Sequence, residues 1–393
     1  SLLKDAIAHQ MISDVPLGAF LSGGVDSSTV VAIMQAQSSR PVKTFTIGFK
    51  EVGYNEAEYA KNIACYLGTD HTELYVTAAD ALNVIPSLPY IYDEPFADSS
   101  QVPTFLISQL TRRHVKVSLS GDGGDELFGG YNRYFWVKNI WNAFGWMPNG
   151  MRDAIAALIK GISPQAWDVL FNKLGLILPN KIRPKTPGDK LHKLAEILHD
   201  KNPIDIYFSL VSHWKDPSSV VNDSSEPVTL LTDKSQRVNF KDFTQTMMYL
   251  DMITYLPDDI MVKVDRASMG VGLESRTPFL DHRVVEFAWQ LPMNMKIRNG
   301  QGKWLLRQVL HRYVPKELIE RPKSGFAIPI DSWLRGPLKN WAGELLDKRR
   351  LSDEGFFNPA PIYEKWNEHL SGKRNWQYKL WNILMFQAWL EKN

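Results

Sequence analysis

The chain has 393 residues, 44% hydrophobic and 22% charged, enough to bury a large core and to form more than one substructure. Its formal net charge of +2 gives no broad attraction to nucleic acid, and a single cysteine, Cys65, excludes an internal disulfide. No apolar run reaches the ~18 residues of a membrane span, and Leu2 to Val15 is interrupted by Lys4, Asp5, His9 and Asp14, so no membrane span or signal peptide is expected and the expected compartment is the cytoplasm.

Helical spacing of apolar residues predicts a helix over Leu2 to Met11. The apolar run Leu17, Ala19, Phe20, Leu21 then stops at Ser22, and Gly23-Gly24 and Asp26-Ser27-Ser28 lead into the helical pattern Thr29 to Met34. This is a buried strand, a tight turn and a helix start. Glycines without Cβ let the backbone approach a ligand closely. Amides at the helix start, with the Ser22, Ser27 and Ser28 hydroxyls beside them, form a seat for phosphate. Asp26 suits an anion site only with a metal, because a carboxylate beside polyphosphate usually holds Mg²⁺. The Walker pattern is absent: Gly300-Gln301-Gly302-Lys303-Trp304 has neither its spacing nor its hydroxyl.

Strands are expected at Lys43 to Phe49, His71 to Val76 and Val115 to Leu119. Between them come a helix from Asn55 that Gly68 ends, a Thr77-capped helix and a helix over Val102 to Leu110. Cys65, inside the helical run Glu58 to Leu67, is expected as a packed core thiol. Alternating strands and helices imply a parallel sheet, whose ligands collect beyond the carboxyl ends of the strands. The fourth strand leads into Ser120 to Tyr131, where Asp122, Asp125 and Glu126 sit among glycines without the spacing of a calcium loop. There Ser120 and Gly121 can place backbone close to a nucleotide, and Asp125 can complete a Mg²⁺ site with Asp26.

From Trp136 to about Phe240 the pattern is helical, with no strand expected and a surface loop over Asp216 to Gln236; His192 and His199 are expected to pack or face solvent. A helix with Asp258, Asp259, Lys263, Asp265 and Arg266 would by itself pass as a solvated face. Glu274 to Asp281 follows, and Glu320 to Phe326 is a basic, glycine-containing loop suited to close over leaving pyrophosphate. The C-terminal region is helical, and its tryptophans are expected in the core.

The segments SGGVDSS, TIGF, EPFADSSQVPT, SGDGGDELFGGY, YLPDDIMVKVDRASM, ESRTPFLDH and RPKSGF resemble, in order, the synthetase domain of glutamine-dependent asparagine synthetases, within the ATP pyrophosphatases. The resemblance implies an α/β fold, a parallel sheet of the adenine nucleotide hydrolase type with additional helical regions. It implies a nucleotide-binding core over residues 1–135 and 241–330, a helical insertion over 136–240 and a helical C-terminal region over 331–393. Carried over residue by residue, Leu21 and Ile47 correspond to adenine contacts and Ser22 to Ser28 to the pyrophosphate loop. Ser120 and Gly121 correspond to nucleotide contacts, Asp26 and Asp125 to the Mg²⁺-pyrophosphate carboxylates, and Lys323 to the lysine that stabilises charge on the phosphates. Asp122 stands where some members have glutamate, and its expected role is to help form or use the intermediate.

The implied activity is an ATP-dependent, amide-forming ligase: aspartate is adenylated with loss of pyrophosphate, and ammonia then gives asparagine and AMP. Implied partners are aspartate or a related acid, ammonia, and a glutaminase domain or subunit as its source, with a homodimer possible in such a family. The chain begins at Ser1, so the N-terminal glutaminase domain is expected to be absent from it. Rival readings are an amidotransferase on another carboxylate, such as a uronic acid of a surface polysaccharide, and a catalytically silent nucleotide-binding domain. β-Lactam synthesis is a weaker rival, because the sequence offers no identifiable Tyr–Glu pair for ring closure.

Overall fold

A computed structural model describes residues 1–49, 57–174, 187–233, 235, 238, 240–320 and 328–393. It has two compact units: Ser1–Tyr131 with Val238–Pro329 and Ala388–Asn393, and Asn132–Arg237 with Ile330–Gln387. The first holds a five-stranded, all-parallel sheet in the order β3-β2-β1-β4-β5. Its opening elements are α1 (Leu2–Gln10), β1 (Leu17–Phe20), α2 (Val25–Gln37), β2 (Lys43–Phe49), α3 (Ala57–Leu67) and β3 (Asp70–Val76). Then come α4 (Ala78–Val84), α5 (Leu88–Tyr92), α6 (Gln101–Arg112), β4 (Val117–Leu119), α7 (Gly124–Phe128) and β5 (Glu274–Arg276).

β1 is the strand from which the others fan out. Gly18, Ala19 and Phe20 pair with Lys43, Thr44 and Phe45 on one side, and Leu17, Gly18 and Ala19 with Val117, Ser118 and Leu119 on the other. Close pairing needs Gly18, where a Cβ would lie 2.8 Å from both the Lys43 carbonyl and the Phe45 ring. The winding reverses between β1 and β4, and such a switch point opens a crevice beyond the strand ends. Both glycine-rich loops, 21–24 and 120–123, leave the sheet there.

α2 buries every residue from Ser27 to Met34, so it is a core helix rather than an amphipathic one. Around it Ile7, Val31, Ile33, Ile63, Leu119, Phe279 and Leu310 form one continuous core. Gly68 ends α3 with φ +69°, as expected, and Thr77 and Asp80 cap α4 reciprocally. The expected cap at Asn55 lies outside the described residues.

Three sequence expectations need correction. Cys65 is exposed, on the outer side of α3, whereas Ile63 and Ala64 enter the core. A fifth strand, β5, escapes notice because three residues rich in charge carry no strand period; it is held by Arg276, whose carbonyl accepts from the Ser120 N–H at 2.8 Å. The helix expected to carry Asp258 to Arg266 is present, but its middle is an 11-residue π-helix, Asp251–Met261, with Pro257 inside it. A wide turn there accommodates the missing proline N–H.

The second unit is helical among its described residues, apart from an isolated bridge between Val221 and Phe357. Residues 216–233 are mostly exposed, as a surface loop requires. His192 packs, with a ring nitrogen 2.8 Å from the Ile162 carbonyl, and His199 faces solvent beside Asp153. Trp333, Trp366 and Trp381 are core residues, while Trp341 and Trp376 are half-buried.

His369, fully buried, accepts a hydrogen bond from the Trp376 N–H at 3.2 Å, and burial, reinforced by Arg335, pushes its pKa down to about 4. The unfolded chain binds this proton near pH 6.5 and the folded chain only near 4, so stability falls as pH drops through that window, by about 3 kcal/mol in all. Denaturant titrations between pH 7 and 4 are expected to show that slope and to show it flattened in His369→Gln; an unchanged slope would assign the acid sensitivity elsewhere.

Candidate active site

The loop after β1 is organised by hydroxyls. Ser22 Oγ and Ser27 Oγ lie 2.9 Å apart, and Ser27 Oγ also accepts from the Ser22 N–H at 3.1 Å. The Gly24 N–H donates to Ser22 Oγ at 3.3 Å, and the Ser28 N–H opens the helix ladder on the Gly24 carbonyl. Gly23 takes φ +73° against the backbone of Tyr59 and Ala60, where no side chain fits. Two serines thus tie the turn to the helix start.

The second loop lies directly on the first. A Cβ at Gly121 would fall 2.6 Å from the Ser27 nitrogen, and one at Gly124 would collide with the Asp26 carboxylate. Gly123 (φ +86°) and Gly129 (φ +68°) bracket α7 and turn the chain sharply at both ends. Ser22, Gly24, Asp26, Ser27, Gly121 and Asp125 are therefore brought together at the switch point. Ser28 and Ser120 are buried beside them. Leu21 and Ile47 are 0% and 2% exposed, so their side chains belong to the core and offer no open face to a ligand.

What binds the two loops is a residue that sequence reading set aside. The Lys303 ammonium contacts both the Asp26 and the Asp125 carboxylates, the latter at 2.7 Å, and its side chain is only 7% exposed. Burial works against the charge, but Asp125 and Asp26 outweigh it and hold the amine above its usual range. Lys303 precedes the helix Trp304–Leu310 with φ +57°, and its N–H is fixed by the Phe128 carbonyl at 2.9 Å. A non-glycine residue in that conformation costs roughly 1–3 kcal/mol, which the surroundings must offset. Just before it comes a tight hairpin, in which Arg298 and Gln301 exchange both backbone hydrogen bonds around Asn299 and Gly300, each with positive φ.

Asp122 is half-buried, and burial pushes its carboxyl above the ordinary range, against the opposing influence of Ser120 and then Lys263. Lys263 is 8% exposed and pairs with Asp98 at 2.5 Å, so this part of its helix is not the solvated face that the charge pattern alone suggests. Ser100 fixes Asp98 with its N–H and hydroxyl, at 2.8 and 2.9 Å. Asp258, Asp265 and Arg266 do face solvent. A Tyr–Glu pair, not identifiable in sequence, is made by the fold: the Tyr131 hydroxyl donates to Glu126 at 2.7 Å. Burial, chiefly, pushes Glu126 up to about 7; with 1% exposure it braces the loop from below. Lys323 lies outside the described residues.

No group of three or more His, Cys, Asp or Glu residues suited to a metal occurs among the described residues. Asp26 and Asp125 nevertheless converge on one cation, the Lys303 ammonium. Two carboxylates, with remaining positions left to phosphate and water, are the donor set that Mg²⁺ takes when it arrives with a nucleotide. The residues therefore fit a metal brought by polyphosphate and do not form a metal cage of their own.

The family model described as asparagine synthase matches residues 1–391. Asparagine synthetase [glutamine-hydrolyzing] 1 of Bacillus subtilis is 29% identical over 98% of this chain and 58% of that protein. A putative asparagine synthetase [glutamine-hydrolyzing] of Mycobacterium bovis is 32% identical over 99% of this chain and 56% of its own length. A more distant relative, amidase chry2 of Gibberella zeae, is 24% identical over 90% of this chain and 55% of its length. The chain thus spans just over half of these relatives. With its motifs in register and a family match from end to end, the chain belongs to the asparagine synthase family.

Proposed function

We propose that the chain is an ATP-dependent, amide-forming ligase that adenylates the side-chain carboxylate of aspartate and passes the acyl group to ammonia. The observation that carries this reading is the meeting of Asp26 and Asp125 on one cation, beside the serine-lined loop at the sheet's switch point. Ser22, Ser27 and the amides of the 22–28 loop would hold the β- and γ-phosphates, and backbone at Leu21 and Ile47 would meet the adenine. The carboxylate oxygen of the acceptor attacks the α-phosphorus, and pyrophosphate leaves. Asp26 and Asp125 would hold Mg²⁺, which supplies charge neutralisation on the polyphosphate. Lys323 adds a positive charge to the departing pyrophosphate. Ammonia then attacks the acyl carbon, AMP leaves, and Asp122, raised by burial, is suited to take the proton that nitrogen sheds. Most of the rate comes from positioning and charge stabilisation.

The names of the relatives support aspartate as acceptor and glutamine as the ultimate nitrogen source, through a glutaminase domain or subunit. The amidase relative is the observation that favours a second reading, amidation of a different acid. ATP–pyrophosphate exchange against aspartate, uronic acids and other carboxylic acids separates the two: exchange with aspartate alone supports the first, and exchange with a sugar acid alone supports the second. No exchange with any acid would favour a silent nucleotide-binding domain.

Asp26→Asn and Asp125→Asn are each expected to lower exchange on the order of 10²-fold or more. Because both act on one cluster, the double variant should be little worse than either single one. Full exchange in either variant would refute the metal assignment. Lys323→Ala should reduce kcat by a similar factor with a smaller change in KM for ATP, and Lys323→Arg should rescue poorly, since a planar fork does not replace a compact ammonium. A raised KM with unchanged kcat would make the lysine a binding residue only. Cys65→Ala should leave ammonia-dependent amide formation at the parent rate, since the thiol stands on the exposed side of α3; a Cys65-dependent rate would overturn that.

A further inference from the structure

We propose that Lys303 is an internal counter-ion for the two metal-phosphate carboxylates, so that a divalent cation enters the site only in company with the nucleotide. The proposal rests on the reading of Asp26 and Asp125 as those carboxylates. The ammonium occupies the point on which both acids converge, and its side chain is almost wholly buried. A bare divalent ion would have to displace it while gaining only two carboxylate ligands, with no third acid among the described residues to hold it. Displacing a buried ammonium without a new partner is costly. A nucleotide removes that obstacle, because its phosphate oxygens supply both further ligands for the cation and anionic partners for the lysine.

Independent features show that the backbone is shaped around this one amine. Lys303 takes a left-handed conformation that any non-glycine residue avoids, and its N–H is locked to Phe128. A side chain at Gly130 would collide with both Lys303 and Asp125, and one at Gly302 would strike the Gly129 carbonyl. Lys303 is the N-cap residue of the helix Trp304–Leu310, and its ammonium reaches away to the two acids.

Mn²⁺ is a suitable probe, counted by electron paramagnetic resonance with and without the unreactive analogue α,β-methylene-ATP. The parent protein is expected to bind no Mn²⁺ at 1:1 stoichiometry below about 1 mM alone, and one Mn²⁺ with the analogue. Lys303→Met should bind Mn²⁺ without nucleotide at least about tenfold more tightly than the parent, and adding Asp125→Asn should abolish the gain. Its melting temperature should fall without metal and recover with Mn²⁺. Lys303→Arg, which keeps the charge, should exclude free Mn²⁺ as the parent does. Nucleotide-free parent protein that binds Mn²⁺ tightly at Asp26 and Asp125 would overturn the proposal without any variant. So would Lys303→Met with no gain, even while the parent's Mn²⁺–analogue complex remains sensitive to Asp26→Asn; that result would leave the metal reading standing. If Mn²⁺–analogue binding ignores both aspartates, the metal reading fails and the counter-ion proposal falls with it.

Discussion

Two carboxylates held side by side and largely shielded from water repel each other, and the unit that carries the parallel sheet is organised around resolving that repulsion. Asp26 comes from the start of α2 and Asp125 from α7, and they meet because β1 and β4 are adjacent strands on either side of a reversal in winding. Lys303 arrives from a third place, about 180 residues after Asp125, and its ammonium joins them. Breaking such a buried arrangement by removing one charge is costly, which is why its surroundings are so narrowly specified. Gly121, Gly124, Gly130 and Gly302 all stand where a Cβ would strike one of these residues or the loops that carry them. The glycine-rich character of both motifs is therefore a packing requirement of the charged cluster as much as a matter of phosphate access.

The parallel sheet, its first four strands and the position of both loops are legible in sequence, because β-rich runs alternate with helical ones and each loop follows a strand directly; the spatial order of those strands comes from the structure alone. Asp26 and Asp125 were legible for the same reason: acids beside glycines at strand ends have few structural uses. Lys303 was not. Gly300-Gln301-Gly302-Lys303 lacks the spacing of a phosphate loop, and Asn299-Gly300 carries the plain signature of a two-residue hairpin turn. Local sequence could place the turn but not the two acids waiting on its far side.

The same limit explains the other differences. Lys263 shares a helix with solvent-facing Asp265 and Arg266, and only its tertiary partner, Asp98, distinguishes it. Cys65 lies one position from buried Ala64, and a helix turns by about 100° per residue, so one step carries a side chain from core to solvent. β5 is three residues long and charged, and it is a strand only because β4 offers an unpaired edge. Glu126 and Tyr131 are five residues apart, on opposite sides of a sharp glycine turn at Gly129 and Gly130, so neither helix nor strand spacing forecasts their hydrogen bond.

These features bear on how the site changes through a reaction cycle. The three side chains Asp26, Asp125 and Lys303 carry a formal charge of −1 together, and the ammonium sits between the two carboxylates. On the proposed reading, a metal–nucleotide complex brings both a cation for the acids and phosphate oxygens for the lysine, so every charge keeps a partner during the exchange. On the same reading, departure of pyrophosphate with its metal would return the lysine to the acids, and their attraction would favour product release. A cage of three or four carboxylates would hold the metal after the phosphate left. Two carboxylates sharing one lysine would bind the complex and discriminate against the bare ion, a balance suited to a site that must empty after every turnover.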